Sequence, residues 1–230
     1  MTTGAFLLLA LAMVAAVGDW IAVQRGTKAA EYLFKPLTLA VLIAAALALD
    51  PSNPDVRTWF VVALVFCLIG DVFLMLPNDV FVLGLGAFLV GHVAYIIGMG
   101  VDGVSVQRLG IGIVLVSIAI VVIGLYILRA VSNGPEPEMA KPVLAYMLVI
   151  SAMVATAIGA GRFFAVVGAV LFYASDSLIA WGRFVVRPPD DTETTDVSGG
   201  NAYAHAARLN RLAVIITYHL AQVGLVVSLI

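Results

Sequence analysis

Gly70-Asp71 puts a carboxylate inside one apolar run of this chain, and His92 lies inside the next. Asp19 and Asp176 occupy two further apolar runs, each directly after a small residue, Gly18 or Ser175. An ionisable side chain at membrane depth costs about 2.5–3.5 kcal/mol on insertion scales, so such residues mark function by default. The polar set also holds Lys35, His219 with Gln222 one turn on, Tyr95 one turn after His92, and Tyr173 one turn before Asp176. Carboxyls crowded together out of water suit general acid/base chemistry, in which one keeps a proton while its partner stays ionised. Such a pair protonates a substrate and activates water. Proton-coupled transport of a lipid or small solute uses the same residue types, so these residues alone leave enzyme and transporter both open. The single cysteine, Cys67, lies in an apolar run, and no metal-ligand spacing is present. Neither a metal nor a cofactor is expected.

The elements that must position these groups follow from composition. Of 230 residues, 63% are hydrophobic and 11% charged, against about 25% charged in soluble domains; this is an integral membrane protein. The net charge of −2 is scattered along the chain, which argues against nucleic acid as a partner. With about 20 apolar residues needed per crossing, the sequence predicts an all-α bundle of eight spans, near 5–24, 33–49, 59–76, 80–99, 108–128, 142–159, 162–181 and 211–230. Helices are expected because lipid requires internally satisfied backbone. The first run has no basic residue ahead of it and reads as a retained helix rather than a signal peptide.

Lys35-Pro36 and Lys141-Pro142 are expected to open the second and sixth spans. Pro77-Asn78-Asp79 and Gly159 to Arg162 read as tight hairpins. Gly84, Gly91 and Gly98, and likewise Gly161, Gly168, Ser175 and Gly182, recur every seven residues and read as packing stripes. Residues 187–208 are polar, with Pro188-Pro189 and Gly199-Gly200, and read as a mobile loop whose end, 201–211, suits a short interfacial helix. The whole chain, 1–230, is expected to form one domain.

Nine of the 12 lysines and arginines fall in the connections after spans one, three, five and seven. That bias puts those connections in the cytoplasm and both termini outside, in the cell (inner) membrane. Odd-numbered spans then run toward the positive side. Asp19, Asp71 and Asp176 each lie near the same depth, about 9 Å at about 1.5 Å per residue, where they are expected to line one cavity. The plainer alternatives are that Asp19 only pairs with Lys35 or Arg25, and that His92 and His219 only tie neighbouring helices together.

Five ordered motifs extend the argument. Lys35-Pro36, Gly70-Asp71-x-x-Leu74-Met75, Phe81-x-x-Gly84-Leu85-x-Ala87-Phe88-x-x-Gly91-His92-x-x-Tyr95, Gly168-Ala169-x-Leu171-Phe172-x-x-Ser175-Asp176 and Tyr218-His219-Leu220-Ala221-Gln222 resemble the YhhN family, which includes the mammalian lysoplasmalogenases. The polar loop from Arg187 to Asn201 lies outside the resemblance. It implies hydrolysis of a lysoplasmalogen's vinyl ether to a fatty aldehyde and glycerophospho-ethanolamine or -choline, with a lysophospholipid substrate drawn from bilayer lipid. In that light Asp71 and Asp176 are expected to be the catalytic pair. His92 would position a carboxylate or the water and Lys35 would face the phosphate, with Asp19 and Tyr173 as second-line candidates.

Overall fold

The computed structural model describes residues 3–78, 80–186 and 197–230, with backbone alone for 197–202. Among them are eight helices: α1 Thr3–Arg25, α2 Lys28–Ala48, α3 Pro54–Met75, α4 Phe81–Asp102, α5 Val106–Ser132, α6 Pro137–Ala160, α7 Phe163–Val185 and α8 Val197–Val227. All eight are long and apolar enough to cross a membrane, α8 through its Tyr203–Val227 part. The chain is an all-α, multi-pass membrane protein.

Local chemistry sets several ends. Asn53 caps α3 by accepting the Asp55 N–H at 3.0 Å, with Pro54 following where a missing N–H costs nothing. Between α6 and α7, Gly161 takes φ +74°, a left-handed turn that a side chain would strain. Several helix starts lie ahead of expectation, α3 at Pro54 rather than near 59 and α6 at Pro137 rather than at Lys141-Pro142 among them. Helix α2 starts at Lys28 rather than at Lys35-Pro36, leaving Pro36 inside it. The residues ahead, Ala29 to Phe34, are adequate helix formers, and hydropathy reports where lipid begins rather than where a helix does. Likewise α8 begins at Val197, so the short helix expected over 201–211 runs on into the last span, and 197–200, expected as loop, are helical as well. Residues 187–196 and Asp79 lie outside the described residues, and with them the rest of that loop and the end of the Pro77 hairpin.

Consecutive helices pair as α1/α2, α3/α4, α5/α6 and α7/α8. The pairs join through α2–α3, α4–α6, α6–α7 and α8–α1 into a ring, and α5 packs on the outside of α6. Glycines allow the closest approaches. A Cβ on Gly84 would fall 2.7 Å from Leu74, on Gly91 3.0 Å from the Cys67 sulfur and on Gly98 2.9 Å from Phe60, all on α3. The α7 stripe faces α8 at Gly168, Ser175 and Gly182, while its first member, Gly161, meets Arg108 of α5 instead.

Candidate active site

The ring gathers the polar side chains into four groups. In the first, Lys35 Nζ of α2 stands 3.1 Å from Asp71 Oδ1 of α3. Tyr218 of α8 donates its hydroxyl to Asp71 Oδ2 at 2.7 Å. Asp71 is 1% exposed while Lys35 keeps 14%, so the lysine is the face that this ion pair shows to solvent or ligand. A buried carboxylate needs such a partner, since an isolated charge is costly to desolvate.

In the second, Tyr146 of α6 donates to Asp176 Oδ2 of α7 at 2.5 Å. His92 Nε2 of α4 lies 2.8 Å from the Tyr146 oxygen and 3.2 Å from Asp176 Oδ2. With the tyrosine proton directed at Asp176, the Tyr146 oxygen offers only lone pairs, so His92 Nε2 carries a hydrogen and donates. Asp176 is 11% exposed, and Tyr173 joins it on the wall of a neighbouring crevice.

The third group is Asp19, Trp20 and His219. The Trp20 indole N–H donates to His219 Nδ1 at 3.2 Å, which leaves Nε2 facing Asp19 Oδ2 at 4.0 Å. Asp19 is fully buried, and neither of its oxygens accepts a hydrogen bond. The alternative pairing of Asp19 with Lys35 or Arg25 does not form, and Lys35 instead reaches Asp71 from the first turns of α2. In the fourth, Tyr95 donates to Gln222 Oε1 at 2.6 Å, with the tyrosine ring packed edge-on to Phe60 at 5.0 Å. That pair ties α4 to α8 and borders none of the cavities described below.

Asp71 and Asp176 share no hydrogen bond. Aromatic rings join their groups: Phe172 packs on His92 at 4.6 Å and on Tyr218 at 5.3 Å, and Phe88 touches Phe172 and Tyr218. Such a wall keeps water out of the space between the two carboxyls. Lys35 opens onto a cavity of about 820 Å³ at the lysine- and arginine-rich end, between the ends of α1, α3 and α7 and the starts of α2, α4 and α8. Its charged lining includes Glu31, Lys35, Arg183 and Arg211. Asp176 lines a smaller cavity of about 50 Å³, which has Leu74, Phe81 and Ile179 in common with the large one.

Charges inside apolar runs pointed to Asp71, Asp176 and His92, but Tyr146, Trp20 and the arginines on the cavity were passed over. Tyr146 carried one signal, a phenol one turn past Lys141-Pro142 in an otherwise apolar span, and buried phenols seek partners. Arg183 and Arg211 read as markers of orientation. In the fold, Arg211 holds Glu31 at 2.7 Å, and Arg183 holds Glu136 at 2.9 Å while lying 4.2 Å over the Phe81 ring.

The arrangement has relatives. The model of the YhhN family matches residues 30–229. Proteins named lysoplasmalogenase from Mycobacterium bovis and from Mycobacterium tuberculosis are each 35% identical over 163 residues, 65% of this chain and 58% of theirs. The matched stretch thus spans less than two thirds of those relatives. No solved structure matches.

Proposed function

The chain belongs to the YhhN family, and from that premise we propose that it is a membrane-embedded hydrolase cleaving the vinyl ether of a lysoplasmalogen. One observation carries the reading: Asp176, a carboxyl held by a phenol and an imidazole, borders a cavity adjoining one whose wall holds Lys35, the ion-pair partner of the buried Asp71. The first suits proton transfer, and the second places basic side chains, Lys35, Arg183 and Arg211, on the wall of a cavity large enough for a head group.

Cleavage starts with protonation of the vinyl ether's β-carbon, which leaves an oxocarbenium ion on the ether carbon. Asp176 gives that proton, and the carboxylate so formed lies beside the cation it created. The same carboxylate then takes a proton from water as the water oxygen bonds to the cationic carbon. The resulting hemiacetal loses its alkoxy group as an alcohol, so one water is consumed and a fatty aldehyde and a glycerophospho-alcohol leave. Tyr146 and His92 hold Asp176 in place through Oδ2, leaving Oδ1 for the reacting carbon. The Phe88–Phe172–Tyr218 rings keep the site dry, which strengthens every charge in it. Lys35, held by Asp71, and Arg211 suit the phosphate of the head group.

The Lys35 end lies in the cytoplasm in this reading, with the chain in the cell membrane and the termini outside. The test is purified protein incubated with a lysoplasmalogen or with its saturated-ether analogue. Aldehyde from the first alone is the expected result. Movement of intact lipid across vesicles without aldehyde would assign the same carboxyls to proton-coupled transport.

A further inference from the structure

Asp176 borders open space on two sides. One is the small cavity that adjoins the charged one. The other is an apolar crevice of about 50 Å³ between α5, α6 and α7, walled by Ile123, Gly124, Ile127, Met147 and Ile150 with Asp176 and Tyr146 at its inner end. Asp176 and Tyr146 are common to both spaces. Three spaces in a row therefore lead from the charged end, past Asp176, to the lipid-facing side of the bundle, where Ile123 is 40% exposed.

Helix α5 is built to form the outer wall of this crevice. It packs outside the ring, and its middle, Ile120–Gly124, widens into a π-helical turn, a distortion that recurs at functional sites. The turn brings Gly124 so close to α6 that a Cβ there would fall on the Met147 sulfur. The crevice wall is thus set by a flexible thioether, which adapts its shape readily.

We infer that the crevice seats the hydrocarbon chain of the substrate lipid, which runs from a head group at Lys35 and Arg211, past Asp176, and out between α5 and α7 into the bilayer. The charge gradient along the three spaces is that of a single-chain amphiphile, polar at one end and apolar at the other. One crevice takes one chain, which would favour lyso-lipids over two-chain lipids. A chain moving from bilayer to crevice gains little hydrophobic free energy, because lipid tails are as apolar as the crevice; selection there is by shape. Which bond sits at Asp176 rests on the hydrolase reading, whereas the seat requires only a polar lipid with one chain.

The test uses a lysophospholipid bearing a photoreactive diazirine at its chain terminus, with aldehyde release from lysoplasmalogens of long and short chain measured in parallel. Crosslinks are expected in residues 120–127, 143–150 and 173–180. Ile123→Trp, which covers the mouth from a lipid-exposed position, should remove them. It should lower long-chain turnover about tenfold, the scale of one overpacked side chain, and change short-chain turnover by less than about twofold. Met147→Phe, closing the crevice from the other wall, should act the same way, with melting temperature checking that each variant folds. Crosslinks spread evenly over lipid-facing residues such as Val82 and Val114 would mean bulk lipid contact only and overturn the inference. So would hydrolysis by both variants with the parent's chain-length profile. Crevice crosslinks that Ile123→Trp removes, in a protein that releases no aldehyde, would uphold the seat and reject the hydrolase.

Discussion

At the scale of single residues, the two carboxyls differ by their partners, and so do the expected costs of changing them. Asp176→Asn keeps shape and removes the transferable proton, so single-turnover aldehyde release should fall at least about 10²-fold with little change in melting temperature. Tyr146→Phe leaves the carboxyl but removes a donor that holds it; a smaller loss is expected, in kcat more than in KM. At Asp71 stability is at stake as well. Lys35→Met would strand a carboxylate that is 1% exposed, at a cost of about 3–5 kcal/mol. Asp71→Asn leaves a lysine that opens onto the large cavity and costs less. Thermal melting in detergent that ranked the two the other way would refute the picture of Lys35 as the solvent-facing half. Asp71, Asp176 and His92 stood out as candidates because an ionisable group in an apolar run is costly to bury. Tyr146 and Trp20 did not, since such residues are ordinary in spans and only the fold shows what they touch. Lys35 stood out as a candidate, but its pairing with Asp71, a whole helix away along the chain, did not.

Among the elements, hydropathy located every crossing but not where each helix starts, because a helix continues into the interface while its apolar signal ends. The helices α2 and α8 both do this, and the charged first turns of α2, with Glu31 and Lys35, form part of the polar cavity wall as a result. The glycine stripes were readable as packing surfaces, yet not which neighbour each would meet. Gly168 shows what such a contact demands. A Cβ there would come within 2.8 Å of the Ala221 carbonyl oxygen and 3.0 Å of the Leu225 nitrogen, both backbone atoms of α8. Backbone cannot rotate out of the way, so Gly168→Ala must push α7 and α8 apart, at about 1–3 kcal/mol. Ser175 and Gly182 share that interface, so the displacement would reach Asp176. Gly86→Ala, with nothing within 4 Å of the new carbon, is the control and should melt like the parent. Equal melting of the two variants would refute the close α7–α8 contact.

For the whole molecule, the open matter is which way the bundle faces. The large cavity lies at the end that carries most of the lysines and arginines, but Lys35, Arg183 and Arg211 line that cavity. A charge kept for a substrate is not independent evidence of orientation. The remaining basic residues of that end, including Arg25, Lys28, Arg129 and Lys141, still outnumber Arg57, Arg108 and Arg162. All three are engaged structurally: Arg57 Nη1 donates to the Leu49 carbonyl, Arg108 Nε donates to the Gly159 carbonyl, and Arg162 grips Asp102 with two nitrogens. With cavity and structural residues set aside, the bias still favours the proposed orientation, with the cavity end in the cytoplasm. The chain suits a direct measurement, because its single cysteine, Cys67, is fully buried and should not react. Glu138 is exposed at the cavity end, and Asp55 is exposed at the other. A membrane-impermeant maleimide applied to intact cells should label Asp55→Cys and spare Glu138→Cys until the membrane is opened. The reverse pattern would turn the bundle over and send the polar product outside. It would leave the depth of the aspartates, the ring of helices and the crevice beside α5 unchanged.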